Sequence, residues 1–448
     1  MATIIIYFWL FSFWLQKCVG FELERLFGLT MGLSLLNISL YFLLLIWGFT
    51  LKTRDVIFQK NNVNRYLFIL TMIIGVSIFL NIDRSGIQPT SLKDEIVSYK
   101  EFLNPWLLFL LITSLIRDKR NCDRILSALI VFFIVTVFAV LIQNFLGINL
   151  GTHIKAHAYI GRSAGFSEAN QYAAYLVLFL PLFLSSMFFQ EEKSKKIKGF
   201  FLFFIGLLAL VFTISKGGFI SFFISMGYFV FLAYKYKLIS MQRVFVLSVS
   251  VVVLLAASYF ILPSHTEERI KARVEFENTP YNPYEIEHSW IWKLTSGRTQ
   301  IWAYSLELIV QKPIFGYGID NASIHLERGT HNEYLGWLVK YGIIGFLLFC
   351  IIYLQIYRYV IHYLKTSAFS KNQILCFGYI CGFIGYVVAM FGLNLNEPRY
   401  IFWIYTAIIY KYTELDAIEK SESALQTSFS ARQIDTARLG FHGESMMR

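Results

Sequence analysis

The chain has 448 residues, of which 56% are hydrophobic and only 15% are charged. A soluble globular domain is about half apolar and about a quarter charged, so this composition excludes an ordinary soluble fold. The net charge of +11 would suit nucleic acid or an anionic membrane surface. The basic residues lie in short connectors between apolar runs, a pattern that follows the positive-inside rule and excludes nucleic acid as the partner.

Continuous apolar runs, rich in Leu, Ile and Phe, recur along the whole chain. They lack the alternation of a β-strand, so they predict helices that satisfy their own backbone inside lipid. The predicted fold class is all-α, a polytopic transmembrane helical bundle of about 12 crossings, each needing about 20 residues. The runs lie at 3–19, 27–50, 66–82, 102–116, 125–147, 171–189, 199–214, 217–234, 244–262, 331–357, 373–393 and 400–411.

Every second connector is rich in Lys and Arg, as in the stretch from Lys193 to Lys198. With twelve crossings, all of these connectors lie on the same side as both termini, which are therefore predicted to be cytoplasmic. Residues 263–330 then form one long external loop that contains short helices. We expect a membrane domain at 1–411 and a polar, loosely ordered cytoplasmic tail at 412–448.

The first external feature precedes the sixth crossing, where Arg162 lies in the stretch Gly161 to Phe166 and Asn170 follows. A guanidinium offers a planar fork of donors to a phosphate and stays charged at any working pH. An arginine at a membrane boundary is as often an interfacial anchor. Both interpretations stay open at this point.

The second feature is Ser215-Lys216-Gly217-Gly218, where the seventh and eighth crossings meet with almost no loop. The positive-inside rule disfavours a lysine on the external side, and a charge between two apolar runs is costly and usually functional. Glycines allow a tight turn and expose amide donors at the start of the next helix, a setting that suits anions. We favour a functional role for Lys216.

The third feature is Arg298 in the sequence Ser-Gly-Arg-Thr, which is typical of a helix start. The stretch that follows predicts an amphipathic helix lying on the membrane surface. Its apolar side consists of Ile301, Trp302, Ser305, Leu308 and Ile309. Arg298 is either a solvated loop residue or an anion-binding group at the head of this helix.

The fourth feature is His331, where the long loop meets the tenth crossing. Histidine suits general acid and base catalysis because its unperturbed pKa lies near 6.5. Asn332 and Glu333 are placed to orient it. A histidine at a helix boundary is also commonly a cap or an interfacial residue, and this alternative stays open.

No metal site or cofactor is predicted. His153 and His157 have helical i, i+4 spacing, but the neighbouring glycines indicate a loop. The cysteines form no CxxC pair and lie mostly in apolar runs, so we expect small buried apolar residues. There is no P-loop, and Gly316-Tyr317-Gly318 predicts a turn because no strand precedes it.

The stretch from Ser296 to Phe349 resembles the O-antigen ligase/polymerase family of bacterial envelope glycan enzymes. The residues that carry the resemblance are SGRTQIW at 296–302, QKPIFGYGI at 311–319 and HNEYLGWLVKYGIIGFLLF at 331–349. Upstream, GRSAGFSEAN at 161–170 and ISKGG at 214–218 are similar to two further signatures of the family. Together with the twelve-crossing plan and the one long, late external loop, the resemblance covers most of the chain.

The resemblance implies a metal-independent, inverting membrane glycosyltransferase of the bacterial inner membrane with a periplasmic active site. The implied donor is a glycan linked to undecaprenyl diphosphate, and the acceptor is lipid A–core or a growing polysaccharide. Arg298 matches an arginine that holds the diphosphate, and His331 matches a histidine that activates the acceptor hydroxyl. Lys216 stands where the family usually has arginine, so it keeps the charge but loses the bidentate fork.

Two alternatives to the ligase remain. A repeat-unit polymerase of the same family would join glycan units, and the sequence does not separate it from a ligase. A transporter or flippase for a lipid-linked or anionic solute would use the same polytopic plan and the charge at 214–218. It would also predict paired broken helices and internal symmetry, neither of which the sequence shows.

Overall fold

The computed structural model describes most of the chain as α-helices that pack side by side. The described residues are 2–20, 34–51, 62–81, 92–148, 165–238, 298–319, 322, 325–326, 329–366 and 371–444. Within them the helices are α1 Ala2–Trp14, α2 Leu35–Leu51, α3 Asn62–Asn81, α4 Leu92–Leu115, α5 Lys119–Leu146, α6 Ala169–Phe189, α7 Lys193–Thr213, α8 Lys216–Lys235, α9 Thr299–Gln311, α10 Glu333–Thr366, α11 Lys371–Ala389 and α12 Pro398–Glu444.

Eight of these helices, α3 to α8 with α10 and α11, are long and apolar enough to cross a membrane. The α1 and α2 helices are shorter but also apolar. The predicted polytopic helical bundle is therefore confirmed. Of the predicted crossings, the ninth at 244–262 lies outside the described residues, as does the start of the second.

The α6 helix lies at the centre of the bundle and is buried on all its faces from Ala169 to Ser185. It packs against α7, α8, α11 and α12. Aromatic rings fill the contacts, and Phe179 of α6 stacks on Tyr405 of α12 with 5.0 Å between ring centroids. The outer helices instead expose apolar side chains such as Phe79 and Phe223, which a bilayer would cover.

The last helix departs from the prediction of a loosely ordered tail after residue 411. The α12 helix is buried from Ile401 to Thr413 and continues without a break to Glu444. Beyond the apolar part, Asp416 accepts hydrogen bonds from Lys119, Asn372 and Tyr363 on three other helices. These contacts hold the beginning of the extension, around Asp416, against the bundle.

The α9 helix lies where the sequence predicts it, but its apolar face meets protein. Leu308 is buried, and Ile301 and Ile309 pack with it against a small apolar cluster. The cluster also holds Tyr317, Ala322, Leu326 and Val339. The prediction that this face lies on the membrane surface is wrong, because these described residues pack against it.

The cysteines are as predicted where they are described. Cys122, Cys376 and Cys381 are buried, Cys350 is half-buried, and all four are free thiols. They lie within helices, where a thiol behaves as a small apolar side chain.

Candidate functional site

The junction between α7 and α8 is a tight turn built around Ser215. Ile214 takes a left-handed conformation with φ 48°, which reverses the chain between the two helices. The Ser215 hydroxyl then caps α8 by accepting from the Gly218 amide at 3.1 Å. The same hydroxyl donates to Asn170 Oδ1 at 2.8 Å, which ties the turn to the start of α6. Lys216 is exposed at the first position of α8.

Gly218 has a packing role that the sequence did not reveal. A Cβ at this position would lie 2.5 Å from the Cβ of Ala173, so only glycine lets α8 approach α6 so closely. Its amide is already used by the Ser215 cap. The prediction that both glycines present free amides to an anion is therefore wrong for Gly218.

Arg298 precedes the first residue of α9 and reaches across to the end of α11. One Nη of its guanidinium donates to the backbone carbonyl of Gly392. Trp302, one turn further along α9, donates its indole N–H to the carbonyl of Thr330 at 3.1 Å. These bonds hold the head of α9 beside the segment that carries His331.

His331 lies in the short turn before α10 and is half-buried, with a left-handed backbone at φ 47°. The turn is fixed on both sides. Thr330 donates to Asn394 Oδ1 at 3.0 Å, and Asn332 Oδ1 caps α10 by accepting from the Leu335 amide at 3.1 Å. The side chain of Asn332 therefore helps to fix the backbone of His331, the residue before it.

Glu333 joins the start of α10 to the segment after α11. Its carboxylate accepts from the Trp337 indole at 3.2 Å and from the Leu395 amide at 3.0 Å. Its own amide donates to the Met390 carbonyl at 2.8 Å. Both carboxylate oxygens are thus used to hold the chain segments around His331.

The connector from 390 to 397 links these parts, and the sequence analysis did not select it. In addition to the contacts with Arg298, Thr330 and Glu333, its Asn396 amide donates to Gln171 Oε1 at 2.9 Å. Glu397 forms an ion pair with Lys17 at 3.5 Å. The signal available in the sequence was the run Asn394 to Arg399, a dense polar stretch between two apolar runs.

The turn from Pro313 to Gly318 is held between α3 and α10. Gly316 has φ 66°, and a Cβ there would lie 2.5 Å from the backbone of Lys340. Gly342 breaks α10 with φ 62°, and the next amide, of Ile343, donates to the Pro313 carbonyl at 2.8 Å. The predicted turn at 316–318 is confirmed.

The structure therefore brings most of the predicted site residues to one end of the bundle. A continuous series of contacts runs from Ser215 through Asn170 and its neighbour Gln171 to the connector, and from there to Arg298 and the turn of His331. Arg162 lies outside the described residues. The site thus combines two cations and a histidine, the groups needed to bind an anion and move a proton.

Among the described residues, no group of three or more His, Cys, Asp and Glu side chains is arranged to hold a metal ion. The charged groups of the site are Lys216, Arg298, Glu333, Glu397 in the connector and Arg399 in the first turn of α12. The carboxylates are bound to protein donors or to Lys17, whereas Lys216 is exposed. An anionic ligand fits this arrangement better than a cation.

Residues 201–350 match the family model described as O-Antigen ligase. The match covers about a third of the chain and includes the junction at Ser215 and Lys216, Arg298, and the turn of His331. No curated protein matches the chain. The match confirms the family resemblance that the motifs at 214–218, 296–302 and 331–349 predict.

Proposed function

We propose that the chain transfers glycan from undecaprenyl diphosphate to an acceptor on the periplasmic face. The match of residues 201–350 to the O-antigen ligase family model supports this proposal. The donor carries its own leaving group, so the reaction needs no nucleotide, and the family resemblance implies that it is independent of metal. The acceptor is lipid A–core in a ligase. In a polymerase it is a growing polysaccharide. The protein would lie in the bacterial inner membrane with both termini in the cytoplasm.

One observation carries the proposal. Two cations and a histidine that are far apart in sequence are held at the same end of the helix bundle through the connector 390–397. A lipid-linked diphosphate presents its charge at the membrane boundary, and this is where a helix bundle places the ends of its crossings. The acceptor would approach the same boundary from the aqueous side.

The cations would bind the diphosphate and stabilise the charge that develops on it as it leaves. Arg298 has one Nη engaged with Gly392, so the guanidinium is already oriented before the donor binds. Lys216 is exposed and supplies a second charge from the start of α8. Arg162 is proposed to contribute a third.

His331 would act as the general base that removes the proton from the acceptor hydroxyl. The oxygen then attacks the anomeric carbon opposite the diphosphate, which leaves with the bonding electron pair, so the configuration inverts. Ser215, Asn170, Asn332 and Glu333 support the reaction by holding these segments in place. None of these four is required to touch the substrate.

The experiment is to complement a strain that lacks the chain with single variants and to measure surface glycan. Arg298→Ala is expected to lower transfer by about 10²-fold or more, as for a lost donor to a developing charge. His331→Ala is expected to lower it by about 10² to 10⁴-fold. Arg65→Ala, an exposed arginine at the start of α3, is the matched control and should behave as wild type.

Normal glycan in both site variants, with protein present in the membrane, would overturn the proposal. The deletion strain separates the alternatives. Free lipid A–core together with full-length carrier-linked chains identifies a ligase, which we favour. A product with a single repeat unit identifies a polymerase. Carrier-linked repeats trapped on the cytoplasmic face identify a flippase.

A further inference from the structure

A cavity of about 930 Å³ lies at the end of the bundle opposite to the candidate site. The α8 helix begins at the site with Lys216 and reaches the cavity with its last residue, Lys235. Twenty helical residues at about 1.5 Å each span about 30 Å, the thickness of the hydrocarbon core of a bilayer. The cavity therefore lies at the other membrane boundary.

Basic side chains dominate the charged lining of the cavity. Lys235, Arg358, His362 and Lys365 line it. Within the described part of the chain, no carboxylate lies within ion-pair distance of Lys235, Arg358 or Lys365. The acidic side chain in the described lining, Glu414, is paired with Lys411 at 2.8 Å.

The basic side chains come from two helices. Arg358, His362 and Lys365 have i, i+4, i+7 spacing, so they project from one face of α10. Lys235 comes from the end of α8. The hydroxyls of Tyr228 and Tyr357 are 2.8 Å apart and join the two helices at the cavity wall. Tyr228 lies seven residues, about 10 Å, before Lys235 along α8, and Tyr357 is next to Arg358 on α10. The walls thus provide Lys235 and Lys365 near the boundary, and Arg358 with the two phenol hydroxyls deeper in the cavity.

Apolar side chains continue the same surface towards the middle of the bilayer. Leu354 and Leu347 lie one and three turns before Arg358 on the exposed face of α10. Phe231 and Phe223 lie about one and three turns before Lys235 on the exposed side of α8. An acyl chain would contact this apolar surface, while a charged head would contact the cations.

We propose that this cavity binds the phosphate headgroup of an anionic phospholipid from the leaflet opposite to the candidate site. Arg358 supplies a planar donor fork for phosphate, and the two lysines add point charges. Basic pockets between helices at the cytoplasmic boundary are suited to acidic headgroups. The volume lies within the roughly 300–1,000 Å³ that is usual for small-molecule sites.

The test compares two triple variants of the full chain, purified in detergent. Lys235→Gln/Arg358→Gln/Lys365→Gln removes the cavity cations. Lys193→Gln/Lys196→Gln/Lys198→Gln removes the same charge from the exposed start of α7, at the same end of the bundle but outside the cavity. Phosphatidylglycerol, phosphatidylcholine and inorganic phosphate are the probes, with native mass spectrometry and thermal unfolding as measurements.

Wild type and the α7 variant are expected to retain phosphatidylglycerol and to unfold at a higher temperature in its presence. The cavity variant should bind it at least tenfold more weakly. Equal retention by both triple variants would overturn the proposal, as would equal binding of phosphatidylcholine. If inorganic phosphate alone gave the full stabilisation, the ligand would be a free anion and the lipid proposal would be wrong. If the cavity triple variant does not fold, Arg358→Gln alone is expected to weaken retention several-fold, and unchanged retention overturns the proposal.

Discussion

Lys216 and Arg298 have the same charge but are held differently. Arg298 has one guanidinium nitrogen bound to the Gly392 carbonyl, so the direction of its fork is set by the protein. Lys216 projects from the first turn of α8 and is exposed. A lysine ammonium is a point charge on a flexible stem, and it does not depend on one orientation to attract a phosphate.

Lys216→Arg is therefore expected to keep surface-glycan transfer within a few-fold of wild type. Lys216→Ala should lower transfer by about tenfold or more, because it removes a charge near the leaving diphosphate. Both variants are compared in the complemented deletion strain at equal protein level. Transfer by Lys216→Ala that equals wild type would show that the charge has no part in the reaction.

At the level of elements, the turn before α10 positions His331. Asn332 caps the helix, and Glu333 ties its first turn to the connector, so neither side chain has to touch the histidine to position it. The left-handed backbone at His331 is sparsely populated by non-glycine residues and persists only where its surroundings hold it. The Asn332 cap and the contact of Glu333 with the connector supply that restraint.

Asn332→Ala removes the cap of α10, and Asp118→Ala removes the equivalent cap of α5, where Asp118 accepts from the Asn121 amide at 2.8 Å. Each is expected to lower the free energy of unfolding by about 1 kcal/mol. Only Asn332→Ala should also lower transfer, since it loosens the His331 turn. Equal transfer by the two variants, measured alongside their thermal unfolding, would argue against a positioning role for Asn332.

The break in α10 is a second feature at the level of elements. It lets the turn from Pro313 to Gly318 approach the backbone of α10 closely. Gly342→Ala would place a Cβ 2.2 Å from the Ile314 carbonyl oxygen, in a left-handed conformation. We expect a large loss of thermal stability or of folded protein. Gly227→Ala in α8, where a Cβ meets nothing within 4 Å, is the control and should be neutral or stabilising. A Gly342→Ala protein as stable as wild type would contradict the close approach.

For the whole molecule, Asp416 fastens the end of the bundle that lies away from the site. Burial by itself would raise the pKa of Asp416, but hydrogen bonds from Lys420, Lys119, Tyr363 and Asn372 outweigh it and hold the pKa well below its usual range. A carboxyl with a lowered pKa in the folded state stabilises the fold above its unfolded pKa, about 4. The contribution is lost as the pH falls below that value.

Asp416→Asn is expected to lower the free energy of unfolding by about 1–3 kcal/mol at pH 7, because two lysines and the buried Tyr363 hydroxyl lose a charged acceptor. The difference from wild type should shrink as the pH falls from about 4 towards 3. Glu422→Gln, an exposed residue on the same helix, is the control for loss of one negative charge. A difference between wild type and Asp416→Asn that stays constant from pH 7 to pH 3 would exclude the proposed role of the carboxylate.

The sequence determined the helical class, because apolar runs of bilayer length have few other ways to satisfy their backbones in lipid. It also located the turn at Ser215 and Lys216, the start of α9 after Arg298 and the helix boundary at His331. These features depend on residues that are close together in the chain. Ser215, for example, accepts a hydrogen bond from the amide of Gly218, only three residues further along. Local chemistry was sufficient to recognise them.

Only the tertiary structure decided how these features meet. The connector 390–397 contacts residues that lie from about 60 to more than 200 positions away in the chain. No local sequence pattern indicates which partner each of its groups binds. The same holds for the face of α9, which is apolar enough for a membrane surface but is covered by the returning chain. Whether an apolar face meets lipid or protein depends on what folds against it, and that is a property of the whole packed bundle.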